Sequence, residues 1–180
     1  MAKGYLPSPE YLRQRLRYDP ETGELFWRRC DAMSRQWNGR YAGKPAMATK
    51  GTHGYSYGSI QDSTFLAHRV AWAIHYGEWP SLEIDHINGV RDDNRISNLR
   101  QATSAQNSQN AGAYSNSMSG IRGVSWSKVQ NQWHARIMAE GRSVHLGYFT
   151  DIKDAERAYI SASVNLHGEF TRTKGLAHDL

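Results

Sequence analysis

Cys30 is the only cysteine in a chain of 180 residues. One thiol excludes an internal disulfide framework and any zinc ribbon built from paired CxxC motifs, so metal chemistry here has to use oxygen and imidazole ligands. No stretch approaches eighteen consecutive apolar residues, which argues against a membrane span and against a membrane partner. The opening MAKGYLPSPEYLRQ lacks the apolar core of a secretory signal, and a cytoplasmic location is expected. Acid is also scarce: 17 Asp and Glu against 22 Lys and Arg give a formal charge of +5 and a pI near 9.4. The imbalance is concentrated early, where residues 1–50 hold ten Lys and Arg against five Asp and Glu. Such a surface suits a polyanionic partner, although charge alone does not separate that from a solvated basic face.

A hydrophobic fraction of 39% with 22% charged residues describes an ordinary globular chain, long enough for one domain or two small ones. Pro9 to Arg17 reads as a short helix with Ser8 as its cap, followed by a turn cluster at 19–23 and a strand over Glu24 to Arg29. Residues 34–54, rich in glycine and single aromatics, read as loops and short strands. A hairpin is expected across Gln61-Asp62-Ser63. AHRVAWAIHY then reads as a helix stopped by Gly77, and Leu82 to Ile87 as a short strand. The small polar run 112–119 is the expected linker between a unit over 1–111 and a second over 120–173. In the second unit, three strand-like runs (121–126, 133–138, 143–148) precede a helix over Asp151 to Leu166 with Thr150 as its cap. The fold class is therefore α+β, the second unit being a small three-stranded antiparallel sheet packed on one helix.

The densest chemistry lies between Glu83 and Asn110, EIDHINGVRDDNRISNLRQATSAQNSQN. Hydrolysis of a phosphodiester needs an activated water, charge neutralisation at the phosphate and help for the leaving oxygen. One hard divalent cation supplies the last two, and a neutral imidazole the first. His86 is the natural base, and Asp85 beside it offers a carboxylate to Mg²⁺ or Mn²⁺. Neighbours on a strand point to opposite faces, so both serve one cleft only if the strand ends there, as Asn88-Gly89 suggests. With Ser104 as cap, Asn107 falls early in a helix whose start brings its amide oxygen to the cleft, with Asn110 as a second choice. Asp92, Asp93, Asn94 and Arg95 hold the intervening loop through mutual hydrogen bonds, and Asn98 ties that loop to the His86 strand.

These residues, in this spacing, resemble an HNH endonuclease with asparagine in place of the final histidine. AHRVAW, GEWP and IDHINGVRDDNRISNLR are similar to the phage homing-type branch over roughly residues 55–111, and YDPETGELFWRR also recurs there. The resemblance implies a ββα-metal fold for the core motif 83–111, with His86 activating water, Asp85 and Asn107 holding the metal, and Asn98 ordering the loop. An amide in the last position favours a hard cation over zinc. His68-Arg69 also fits the family pattern, Arg69 as a phosphate contact, with a packing or salt-bridge role the equal alternative. His53, His75, His134 and His145 read as surface or aromatic-packed histidines.

The segment from Ser119 to Phe170 resembles an AP2-type DNA-binding domain, on Arg122-Gly123-Val124, Trp133, Leu146-Gly147-Tyr148-Phe149 and Ala155 to Tyr159. That resemblance implies a sheet lying on DNA, with Arg122, Trp126, Lys128, Trp133, Arg136 and Arg142 as its contacts. Trp133 serves equally well as core, and Phe149 and Tyr159 read as core. The expected activity is metal-dependent cleavage of one or both strands of duplex DNA, by a monomer on DNA whose AP2-like part helps select the site. The alternatives are a non-catalytic DNA-binding regulator retaining an HNH-like fold, and an RNA- or protein-binding module.

Overall fold

The computed structural model describes residues 6–113 and 116–171. It divides into two compact units, Met1–Thr103 and Ser104–Leu180. Both mix helices with small antiparallel sheets.

In the first unit, α1 spans Pro9–Arg15, with Ser8 accepting from the Tyr11 amide and Pro9 at the first turn. It is shorter than the sequence pattern suggests, because Leu16 is already extended and begins β1, Leu16–Tyr18. Asp19 Oδ1 accepts from the Glu21 and Thr22 amides, which folds the turn that returns as β2, Leu25–Trp27. The loop region expected over 34–54 contains a helix, α2, Arg35–Tyr41, started by Ser34 accepting from the Trp37 amide. Buried Asn38 anchors it, accepting from the Cys30 amide and donating to the Cys30 and Met33 carbonyls. Gly39 and the polar residues around it mask this helix in the hydrophobic pattern.

Strand β3, Pro45–Ala46, completes the first sheet in the order β1-β2-β3. A second sheet joins β4 (Thr49–Lys50), β5 (Ser56–Ile60) and β6 (Ser63–Leu66). Its hairpin turns on two residues, Gln61 and Asp62, at φ 48° and 60°, with Ser63 already in the strand. Both lie in the left-handed region that tight hairpins use. Helix α3, Ala67–Tyr76, ends at Gly77 as expected. Val70 and Ala73 close a core with Leu12, Leu16 and Leu25, while Ala71 and Trp72 close a second with Ile84 and Leu99. The last two residues belong to a two-stranded ribbon of β7, Glu83–His86, and β8, Leu99–Ala102, in the register Asp85↔Arg100 and His86↔Leu99. A 3₁₀ turn over Ile96–Asn98 leads into β8.

The second unit begins with α4, Ser104–Gln109. Ser104 is its first residue, where the sequence pattern makes it the cap. The unit starts ahead of the run 112–119 because α4 lies against the 3₁₀ turn Gly168–Phe170. Strands β9 (Val124–Ser127), β10 (Gln132–Ala139) and β11 (Arg142–Phe149) form a sheet in the order β11-β10-β9. Helix α5, Ile152–His167, packs on it through Val124, Ala135 and Ala155, with Trp133, Phe149 and Tyr159 around them. Asp151, not Thr150, caps α5, its carboxylate accepting from the Lys153 amide. Among the described residues no helix is long and apolar enough to cross a membrane.

Candidate active site

His86 is the last residue of β7, and the chain turns immediately, with the Gly89 amide donating to the His86 carbonyl at 2.7 Å. Its imidazole is 3% exposed and sits in a ring cluster: His68 of α3 stands edge-on at 5.1 Å and Tyr55 is tilted at 5.8 Å. His86 Nε2 lies 3.1 Å from Asn94 Oδ1. With the amide oxygen as acceptor, the ring carries its proton on Nε2 and presents Nδ1 as the basic nitrogen. Burial pushes the His86 pKa below the ordinary histidine value, opposed by the Asn94 hydrogen bond and by Asp85, Asp93 and Asp92. The ring is therefore neutral at neutral pH, the state a general base requires.

Asp85 is equally buried and meets Arg100 across the ribbon, with Arg100 Nε and Nη2 at 2.8 and 2.7 Å from Asp85 Oδ2. His86 pairs instead with Leu99 and approaches α3. Arg100 and Leu99 are thus their cross-strand neighbours, and β7 ends at His86, which is where the alternation of the strand stops.

The loop between the strands is closely tied. The Asn98 side chain accepts from the Asn88 amide at 3.0 Å and donates to the Asp93 carbonyl at 2.7 Å. Asn88 donates to Asp93 Oδ2, which also takes Arg95 Nη2 at 2.6 Å. Arg95, and then Asn88, hold the Asp93 carboxyl down at about 2. Lys50 anchors the loop from outside through Asp92. The turn at 19–23 props the same loop: Tyr18 Oη donates to the Asn94 carbonyl at 2.7 Å, and the Ile96 amide to the Pro20 carbonyl at 3.1 Å. Gly23, at φ 77°, sits so close that a Cβ there would come within 2.5 Å of the Asn94 and Arg95 backbone.

Arg69 does not present its charge outward. Its guanidinium donates to the Pro80 and Leu82 carbonyls at 3.0 and 3.1 Å and fixes the approach to β7. Asn107 is half-buried on α4, and Asn110 just beyond it is buried. In the second unit Trp133 lies against the core formed with α5, and Trp126 meets it edge-on at 5.1 Å. Arg136, an odd number of residues along β10, projects from the opposite face, so the two tryptophans and Arg136 do not share one surface. The Arg136 face instead carries His134, stacked on Tyr148 at 4.9 Å and hydrogen-bonded to His145. Arg122 donates to the Ala111 carbonyl, while Lys128 and Arg142 are exposed near the strand ends.

Sequence reasoning passes over Asn94 as the partner of the base, His68 and Tyr55 as its ring neighbours, and Arg100 as the counter-charge of Asp85. The 3.6-residue register of AHRVAW placed His68 beside Ala71 and Trp72, an available hint that its side faces the ribbon.

A profile described as HNH endonuclease matches residues 65–109. Protein 3.8 of Escherichia phage T7 is 32% identical over 106 residues, covering 58% of this chain and 87% of that protein. The solved structure of the HNH homing endonuclease I-HmuI is similar at a TM-score of 0.39 and 21% identity, covering 77% of this chain and 75% of that one. The chain belongs to the HNH endonuclease family.

Proposed function

We propose that this protein is a metal-dependent endonuclease that hydrolyses phosphodiester bonds in duplex DNA. The observation that carries the reading is the buried His86 imidazole at the end of β7, with Nε2 3.1 Å from Asn94 Oδ1 and a pKa pushed down by burial. In this role His86 Nδ1 takes a proton from water as that water attacks phosphorus. Asn94 and the His68–Tyr55 ring contacts hold the imidazole in place, and Asn98 holds the loop that carries Asn94.

A hard divalent cation, Mg²⁺ or Mn²⁺, supplies charge neutralisation at the phosphate and stabilises the departing 3′ oxygen when bound. The donors proposed for it are one carboxylate and one amide oxygen. That donor chemistry fits a hard ion and not zinc. Asp85 is the residue proposed to hold it, sharing its carboxylate with Arg100, and the family pattern gives Asn107 the second place. The products expected are 5′-phosphate and 3′-hydroxyl ends. The second unit is proposed to anchor the protein on DNA in the manner of an AP2-like domain, through cations that include the exposed Lys128, Arg136 and Arg142.

A supercoiled-plasmid assay tests the reading. Wild type should nick or linearise the plasmid with Mg²⁺ and stop on addition of EDTA, whereas His86→Ala should bind DNA without cutting it. Cutting by the variant at the wild-type rate would remove His86 from the base's role. Binding by both proteins with cutting by neither would favour the non-catalytic regulator.

A further inference from the structure

Away from His86, the first unit contains an aromatic cavity of about 590 Å³ to which the cleavage chemistry assigns no task. Its walls include Tyr11, Arg15, Trp27, Trp37, Tyr41 and the exposed Asp62. Trp37 and Tyr41, one turn apart on α2, lie 5.1 Å apart between ring centres, and Trp27 meets Trp37 edge-on at 5.4 Å. Trp37 and Tyr41 are half-buried, yet neither belongs to the two cores of this unit. The Arg15 guanidinium lies over the Trp37 ring at 4.8 Å, and its Nε is enclosed without a hydrogen-bond acceptor.

We propose that this cavity takes one unpaired nucleobase of a DNA strand. The assignment rests on the DNA-binding reading given above and specifies a second contact on that substrate. The wall chemistry selects among ligands. Aromatic boxes favour organic cations, but here a guanidinium already covers a ring face and repels a second positive charge. A phosphate would suit Arg15 and meet the Asp62 carboxylate. A neutral planar heterocycle satisfies both groups. It stacks on indole, offers a ring or carbonyl acceptor to Arg15 and an exocyclic amine to Asp62. A cavity of this size admits a base with part of its sugar. Paired bases have both faces covered by neighbours, so the occupant must lie outside the stack. The exposed Arg28, Arg35 and Arg40 on the same segments suit the phosphates on either side.

The test compares two single-stranded oligonucleotides of equal length, one of ordinary DNA and one carrying abasic sugars throughout. Binding to each is measured by fluorescence anisotropy with the full-length protein. Wild type should prefer the strand with bases by about tenfold or more, the scale of one stacked base. Trp37→Ala should erase that preference and leave the salt-sensitive binding of the abasic strand. Equal binding of the two strands by wild type, or an intact preference in Trp37→Ala, would overturn the proposal and leave the nuclease reading standing. No binding of any DNA, duplex included, would overturn both. A ribonucleotide strand bound more tightly than the deoxyribonucleotide one would overturn the assignment to DNA. Photocrosslinking of wild type to a strand containing 5-iodouracil requires no variant: the adduct is expected on Trp27, Trp37 or Tyr41, and adducts confined to other peptides would count against the cavity.

Discussion

His68 makes stability acid-sensitive in a way that can be calculated. It is 4% exposed, its Nδ1 is enclosed without a hydrogen-bond partner, and its ring packs against Tyr55 and His86. Burial, reinforced by His86 and Arg69, lowers its pKa from 6.5 to about 3. The folded-state value is depressed for a base, so between those limits the unfolded chain takes up a proton that the folded chain refuses. Stability is thus complete above pH 6.5 and falls as the pH drops below it. At pH 5.0 the unfolded histidine sits about 1.5 pH units below its own pKa, which amounts to roughly 2 kcal/mol of lost stability at 1.36 kcal/mol per unit. His68→Phe keeps a ring and removes the proton. Urea unfolding of both proteins at pH 7.5 and 5.0 gives two differences, and wild type should lose about 2 kcal/mol more than the variant. Equal losses would refute the argument, because they would mean that His68 is protonated in the folded state or solvated there.

Other expectations follow from the same neighbourhood. Asn94→Ala removes the acceptor on His86 Nε2 and should slow cleavage about 10- to 100-fold with DNA affinity unchanged; single-turnover rates against filter-binding affinities check it. Arg100→Ala leaves the Asp85 carboxylate buried without its guanidinium, at a cost of about 3–5 kcal/mol in unfolding free energy. Gly23→Ala combines a positive φ with a backbone clash against the Asn94 loop, and should lower stability by more than about 2 kcal/mol and reduce cleavage as well.

Much of this was legible in the sequence because local rules coincide with the final structure. Ser8-Pro9 starts a helix, Gly77 stops one, and the alternation along 133–149 gives two strands. The Asp85, His86, Asn98 and Asn107 spacing marks a family before any coordinate exists. What could not be read depends on contacts across long separations. Asn94 is one polar residue in a polar loop until the fold sets it beside His86. Arg100 looks like a surface charge until strand register places it opposite Asp85. Helix α2 is held by the Asn38 amide gripping the loop from Cys30 to Met33, a tertiary contact that leaves no hydrophobic period. On the second unit, alternation along β10 divides Trp133 from Arg136, a separation implicit in their odd spacing.

The contacts from Tyr18 and Pro20 to the 94–96 backbone bear on what can be moved between proteins. The stretch matched by the family profile opens at residue 65, but the hydroxyl that grips the Asn94 carbonyl and the glycine that makes room for its backbone lie more than forty residues upstream. A transplant of 65–109 into a foreign scaffold would bring the histidine without the splint that aims it. The smallest portable version of this site is therefore discontinuous, made of the β1–β2 hairpin and Tyr55 together with the family-matched segment 65–109, and a chimera should be designed around those pieces.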